Sequence, residues 1–485
     1  RGNMFVDNRM TYLKREVMAA VASLFFENKL KEEINRIPTK IIPRNSVSHR
    51  CCVEKDREII RQRVIASLGF GLEDEKLVDE SLLSDFAEKA LDRISPDEQI
   101  LSFIDEACKA CVRVNYYVTE VCRNCVAKPC ITNCPKGAIS SDEKKANIDS
   151  SKCVNCGLCL KMCPYHAIVY VPVPCEEACP AGAISKNASG KEEIDYNKCI
   201  HCGKCIRACP FGAVVEKSQI VEVLKSLTGS GKTTALIAPA IAGQFPFSMK
   251  QLSAGLREIG FDYVVEVALG ADITAETEAE EFIERMASGD SIMGTSCCPA
   301  YVEAVKKHAK AFQKYVSHAK TPMSYTASMT REKFPDAVNV FIGPCIAKRH
   351  EGLRDDNVDY VITFEELGAL FIAKGIDVSS CGESDFDLGY ASPQGRNFPV
   401  SGGVAAAVKK ILEDKGKGAE LIPAYINGFN KKSISLLNIY ASGKSPGNLI
   451  EVMSCEGGCI CGPGVIANPK FAANKLKEYV DSKED

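Results

Sequence analysis

Long hydrophobic runs are missing from this chain of 485 residues, and so is any lopsided charge. Without an apolar stretch of about 18 residues there is no candidate transmembrane helix. A net charge of −3 gives no electrostatic case for nucleic acid or an anionic membrane surface. The opening RGNMFVDNRM is polar and lacks the apolar stretch of a signal peptide, so a soluble, cytoplasmic protein is expected. Tryptophan is absent altogether, which excludes nothing.

What is plentiful is cysteine, with 25 residues. A disulfide framework suits a short exported chain, whereas this one is long enough for two or three domains with real cores. Most of the cysteines also sit in C-x-x-C pairs, too close together for an ordinary disulfide network. Metal ligation fits better.

Residues 1–95 combine charge with helical periodicity, as in YLKREVMAAVASLFFENKLKEEINRI, and are expected to form a helical N-terminal domain. Within it, Cys51 and Cys52 are expected to be buried or idle rather than ligands or redox thiols. Residues 96–220 turn to cysteine, glycine, proline and short turns, the composition of nested ferredoxin-like α+β iron–sulfur domains. Residues 228–485 alternate. TALIAPAI, FDYVVEVAL, AVNVFIGP and VDYVITF read as buried strands, with SMKQLSAGLREIG and EEFIERMAS as helices between them. This predicts an α/β catalytic domain of two packed halves, with small parallel or mixed sheets and flanking helices. LTGSGKTT imitates a phosphate-binding loop, but Ser226 stands where that pattern requires glycine and no clear strand leads into it. A flexible linker is expected there.

Two cysteine runs have the spacing C-x2-C-x2-C-x3-C-P: Cys153, Cys156, Cys159 and Cys163, and then Cys199, Cys202, Cys205 and Cys209. In that pattern three thiolates hold one 4Fe-4S cluster and the fourth serves its neighbour. Zinc would call for pairs instead. A third run, Cys122, Cys125, Cys130 and Cys134, exchanges its last ligand with the first. Cys122, Cys125, Cys130 and Cys163 then make one cluster, and Cys134, Cys153, Cys156 and Cys159 the next. CEEACPAGAIS at 175–185 repeats CITNCPKGAIS at 130–140, so an outer unit can enclose the inner one. Cys108, Cys111, Cys175 and Cys209 form its first set, and Cys179, Cys199, Cys202 and Cys205 its second. The alternative is three clusters with Cys108 and Cys111 idle. Such clusters pass single electrons between a surface and a buried site.

The last domain supplies TSCCPAY (295–301), GPCIAKRHE (343–351) and EVMSCEGGCICGPG (451–464). Adjacent thiols cannot easily reach one metal atom, so Cys297 and Cys298 are expected to have different jobs. Four thiolates from three segments, Cys298, Cys345, Cys455 and Cys459, are what a further cubane needs. These segments resemble the three signature motifs of the iron-only (diiron) hydrogenases, T-S-C-C-P, P-C-x-x-K-x-x-E and E-x-M-x-C-x-x-G-C. The resemblance covers residues 105–485, and HRCCVEKDREIIRQR in the helical N-terminus is similar to a divergent monomeric group often labelled group B.

The resemblance implies reversible reduction of protons to H2 at an H-cluster. Cys298, Cys345, Cys455 and Cys459 would hold its cubane, and Cys459 would bridge to a two-iron subcluster bearing CO, cyanide and a bridging dithiolate amine. Lys348 would bond a cyanide, with Met453 and Gly343 beside the diiron group. Cys297 would relay protons through Glu278, Glu281, Ser317 and Arg285. Without the resemblance, Lys348 would be a surface lysine and ETEAEEFIER a solvated face, although Glu278 and Glu281 stand one helical turn apart. Implied partners are ferredoxin or a similar low-potential carrier, and maturation proteins that build the diiron site. Two other readings are an iron–sulfur assembly protein without the diiron group and a slow hydrogen sensor. The chain departs from the family at Gly343, where many members have Met, and a gap is expected there. Met323 stands where Gln is frequent, Tyr301 replaces Trp, and Cys461 is an extra thiol.

Overall fold

The computed structural model describes residues 8–482 except 110, 113 and 114, so most of the polar opening lies outside the described residues. Among the described residues no helix is long and apolar enough to cross a membrane.

The helix Arg9–Phe26 starts at Asn8, whose side chain accepts the N–H groups of Met10 and Thr11 at 3.0 and 3.2 Å. Val17, Val21 and Leu24 share one face and are buried. The helix packs on Phe364–Lys374 of the C-terminal half, where Lys14 and Arg15 reach Glu365 at 2.6 and 3.1 Å. Helices Val53–Ser67 and Leu83–Asp92 join it, and their apolar core runs on into the C-terminal sheet. Cys51 and Cys52 are exposed rather than buried, because they sit at the surface start of Val53–Ser67, with their sulfurs 3.7 Å apart.

The cysteine-rich region repeats one plan twice, one copy inside the other. Strand Tyr116–Val118 pairs antiparallel with Ile168–Tyr170, enclosing the hairpin Ile139–Ser141/Ala146–Ile148. Around this, Leu101–Phe103 pairs antiparallel with Val214–Glu216, enclosing the hairpin Ile184–Lys186/Glu192–Ile194. The strands are only three residues long, so the thiol groups between them are a large part of what each unit is built around.

Beyond residue 228 two parallel sheets form. The four strands expected from their apolar runs make one sheet in the order Tyr263–Glu266, Thr233–Ile237, Val338–Gly343, Tyr360–Thr363. Nearly continuous burial along these strands matches a parallel sheet covered on both faces. The second sheet, Met293–Gly294, Leu449–Met453, Pro423–Asn427, is also parallel. LTGSGKTT closes the short step from helix Ile220–Thr228 into strand Thr233–Ile237, with Lys232 paired to Asp262 at 2.6 Å. That is the reverse of the strand–loop–helix order a phosphate loop needs.

Candidate active site

Each thiol set in the cysteine-rich region comes together across the two halves of its unit. Cys122, Cys125, Cys130 and Cys163 line one cavity, and Cys134, Cys153, Cys156 and Cys159 line another. In the outer unit, burial with Cys108 and Cys209 alongside pushes the Cys111 thiol up. Burial also holds Cys175 up at about 12, with Glu192, Cys209 and Cys111 beside it. Cys205 is raised by burial, with Cys202, Cys199 and Cys179 as its nearest thiol neighbours.

A local device recurs four times. The backbone N–H of Ala138, Ala167, Ala183 and Ala213 donates to the sulfur four residues earlier, in Cys134, Cys163, Cys179 and Cys209, at 3.2–3.4 Å. The turn that allows this needs positive φ just before the alanine. Gly137, Gly182 and Gly212 supply it, and His166 adopts it at φ 50°. Among the described residues no three Cys, His, Asp or Glu side chains converge on a point fit for a single metal ion. In the inner unit the thiols stand around two spaces.

The three motifs of the last domain meet at the carboxyl ends of parallel strands, where open α/β sheets place their ligands. Cys297 and Cys298 follow Met293–Gly294, and Cys298 caps helix Pro299–His308. Cys345 follows Val338–Gly343, with the backbone N–H groups of Ala347 and Lys348 directed at its sulfur. Cys455 and Cys459 follow Leu449–Met453, across Gly457 and Gly458 at φ 91° and 98°. A Cβ on Gly458 would lie 2.2 Å from the Pro399 carbonyl oxygen, so the chain can pass there only as glycine.

One apolar cavity collects these groups. It is lined by Cys297, Cys298, Cys345, Cys455 and Cys459, together with Lys348, Met323, Met453 and Phe341. Cys202 of the outer ferredoxin-like unit reaches the same cavity. That unit is anchored here by Lys307, which donates to the Cys199 carbonyl at 2.7 Å, and by His201 stacked on His350 at 3.8 Å. Burial pushes Cys345 up to about 12, and Cys455 and Cys459 are raised likewise, each with the other thiols as neighbours. Cys345, Cys455 and Cys459 in so dry a space would ionise together only with positive charge among them, which bound iron would supply. Lys348 Nζ is buried, 2.8 Å from Glu351 Oε2 but without hydrogen-bond alignment to any group. A cation in that state suits an anionic ligand within the cavity.

Gly343 is not part of the lining. Residues 341 and 343 point to the same face of their strand, and the Phe341 ring lies over Gly343, with ring carbons 2.4 and 2.6 Å from where a Cβ would stand. The expected gap is filled by an aromatic ring.

Beside the cavity runs a line of acid–base groups on helix Ala268–Ala287. Glu278 is fully buried. Its Oε1 accepts the N–H and hydroxyl of Ser296 at 2.7 and 3.0 Å, and Oε2 has no hydrogen-bond partner. Burial raises its pKa to about 7, with Glu281 and Glu451 adding to the rise. Cys297 is raised well above an ordinary thiol by burial and then by Glu278. One turn on, Glu281 accepts from Ser317 Oγ at 2.6 Å and from Arg285 Nε at 2.8 Å, and these bonds lower it despite burial. Arg285 is fixed by the carbonyls of Lys314 and Val316 at 2.8 and 3.1 Å. The structure thus brings Cys297, Glu278, Glu281, Ser317 and Arg285 into one neighbourhood.

Two participants are not evident from the sequence. Glu451 accepts the N–H groups of Gly402 and Ala405 at 2.6 and 2.8 Å, tying the strand that carries Cys455 to the start of helix Gly403–Asp414. His318 lies against Glu281, with Nδ1 3.2 Å from Oε1.

Residues 231–463 match the family model of the iron-only hydrogenase large subunit, C-terminal domain. Residues 174–213 match a 4Fe-4S dicluster domain and residues 146–169 a 4Fe-4S binding domain. The periplasmic Fe hydrogenase large subunit of Nitratidesulfovibrio vulgaris is 30% identical over 373 residues, covering 65% of this chain and 85% of that one. The chain belongs to the iron-only hydrogenase family. Iron hydrogenase 1 of Clostridium pasteurianum is 29% identical over 406 residues, 71% of this chain and 69% of its own. The similarity of this chain is not confined to proteins named hydrogenases. A probable cytosolic Fe-S cluster assembly factor of Nematostella vectensis is 25% identical over 292 residues, covering 49% of this chain and 66% of its own.

Proposed function

We propose that this chain is an iron-only hydrogenase that interconverts protons and H2 in the cytoplasm, exchanging electrons with ferredoxin or a similar low-potential carrier. The observation that carries the reading is the acid–base line beside the cavity. A protein that only stored or delivered iron–sulfur clusters would have no use for a buried carboxyl poised near neutrality next to a thiol.

Cys298, Cys345, Cys455 and Cys459 would hold the cubane, with Cys459 also the bridging ligand of the diiron group. When bound, that group supplies the iron chemistry at which protons and electrons combine. The protein's own part is to move and exclude. Lys348 would offer its ammonium to a cyanide of that group, and Met323, Met453 and Phe341 line the cavity with apolar surface that excludes water. Cys297 exchanges a proton at its sulfur with the carboxyl of Glu278. Glu281, held by Ser317 and Arg285, continues the path toward the surface. Four accessory cubanes, on the nested sets, would bring electrons from the exposed inner unit to Cys202 at the cavity wall. Maturation proteins would install the diiron group.

Infrared spectroscopy of the matured protein tests the reading, together with H2 evolution from a reduced low-potential dye. Expected are bands of bound CO and cyanide, and H2. A matured chain with neither is instead an assembly factor, the second reading, which the relationship to the Nematostella protein favours. Bands with feeble turnover would point to a hydrogen sensor.

A further inference from the structure

The line from Glu278 to Glu281 has to meet solvent somewhere, and one side chain at its outer end is placed to do so. His318 follows Ser317 directly, and its side chain is 84% exposed while that of Glu281 is 14% exposed. Its backbone is not loose. Ser317 N–H donates to the Gly294 carbonyl at 2.7 Å, Val316 bridges to Gly294 beside strand Met293–Gly294, and the His318 N–H donates to Glu281 Oε2 at 2.9 Å. The ring is therefore held where Nδ1 lies 3.2 Å from Glu281 Oε1 and 3.4 Å from Arg285 Nη2. A protonated ring stands within ion-pair distance of Glu281, and a ring with Nδ1 unprotonated can accept from Arg285 Nη2. A ring nitrogen with a polar neighbour in either state is suited to repeated proton transfer. The charged groups around it are Glu281 and Arg285, with Asp290 3.6 Å from Arg285 Nη1.

We infer that His318 is the proton-exchange group at the solvent end of this line, loading Glu281 during H2 evolution and unloading it during H2 oxidation. The inference rests on the hydrogenase reading. In the loading direction, hydronium or a buffer acid protonates Nε2, and the resulting imidazolium passes its Nδ1 proton to Oε1 of Glu281. The ring is left neutral with the proton on Nε2, and reorientation or exchange with water resets it. Oxidation runs the same transfers backward. An imidazole is matched to this because its two ring nitrogens let it take up a proton at one and release it at the other.

The test compares matured wild type with His318→Ala and His318→Gln, both conservative of the backbone bonds that hold the segment. In weak buffer, H2 evolution should fall roughly tenfold, less than for a group touching the reacting atoms. Added imidazole should restore the alanine variant, while an equal concentration of a bulky buffer acid of similar pKa should not. The fall should steepen toward high pH, where hydronium is scarce. Independently of turnover, nitrogen-15 NMR of the holoprotein, tractable with six histidines, should show the His318 Nδ1 signal moved in Glu281→Gln. Active wild type with unchanged variants, or no imidazole rescue, overturns the inference alone, as does an Nδ1 signal indifferent to Glu281→Gln. A matured wild type that makes no H2 overturns both this inference and the hydrogenase reading.

Discussion

Between Cys122 and Cys163 eight cysteines lie in one short stretch, whereas Cys298, Cys345, Cys455 and Cys459 come from three segments brought together by two parallel sheets. In the inner ferredoxin-like unit the buried apolar side chains are few, Ala138, Ile139, Ala146, Ala167 and Ile168 among them, and Cys156 is exposed. Around the cavity of the last domain the thiols are walled by strands and helices that carry three large apolar clusters. Three alanines and two isoleucines are too small a core to hold a fold of its own. The inner unit would then need bound clusters to hold its fold, whereas the last domain provides a walled cavity of its own.

That contrast can be broken most visibly by removing iron. Chelation under reducing conditions should abolish amide-exchange protection across 115–171, while strands Thr233–Ile237 and Val338–Gly343 stay protected. Equal loss in both regions would show that the catalytic half also depends on its clusters. Iron and sulfide analysis sharpens the same point. The four nested sets and the thiols of the last domain should together give five cubanes before any diiron group is added, and Cys108→Ala should disturb one of them; four cubanes with Cys108→Ala silent would leave Cys108 and Cys111 idle.

Within the catalytic region the adjacent thiols provide the next test. Cys298→Ala should lose the cubane seen by electron paramagnetic resonance. Cys297→Ala should keep it and lower turnover by about 10²–10⁴-fold, the range for a positioned acid–base group. The reverse pattern would mean that the two cysteines have been given each other's roles.

Glu278 tests whether the cavity wall is as dry as its burial implies. Its pKa is raised from 4.5 to about 7, first by burial. A raised carboxyl contributes stability that is complete below pH 4.5 and is lost as pH climbs through about 7. The loss amounts to about 3 kcal/mol at most. Glu278→Gln accepts the same Ser296 bonds without the charge. Thermal unfolding should therefore show the wild type losing stability between pH 5 and pH 8 and the variant losing less of it. Parallel pH curves would place the titration elsewhere.

How far these regions could be read from sequence follows from the same contrast. The ferredoxin-like sets were legible because ligand spacing is local, and four apolar runs announced one parallel sheet. The second sheet was harder. Pro423–Asn427 alternates buried with exposed residues, and Leu449–Met453 carries Glu451, whose charge is explained only by the helix start it binds. The lines from Cys297 to Arg285 were carried by family resemblance, since an acidic helix alone reads as a solvated face. His318 left no signal, being a lone polar residue whose partner stands 37 positions away. Cys51 and Cys52, expected to be buried or idle, are exposed; the class habit of cysteine to be buried gave no warning of that.

Gly343 offers the smallest and most local test, and it corrects an expectation. If glycine left an empty space beside the diiron group, a larger residue there would fill it at little cost. The Phe341 ring occupies that space, with carbons 2.4 and 2.6 Å from a prospective Cβ, and Ala238 follows at 3.4 Å. Gly343→Ala must then displace the ring, at a cost of about 1–3 kcal/mol for overpacking. Phe341→Leu alone should leave a small cavity and also cost stability. Together the two changes should cost less than their sum, because each relieves the other. Simple additivity in thermal or denaturant unfolding would show that ring and glycine do not share the space. Gly343→Met in an otherwise unchanged chain would then report on the diiron group directly; with strong coupling, its effect on the infrared spectrum must come through the displaced Phe341, and Phe341→Leu should move the same bands.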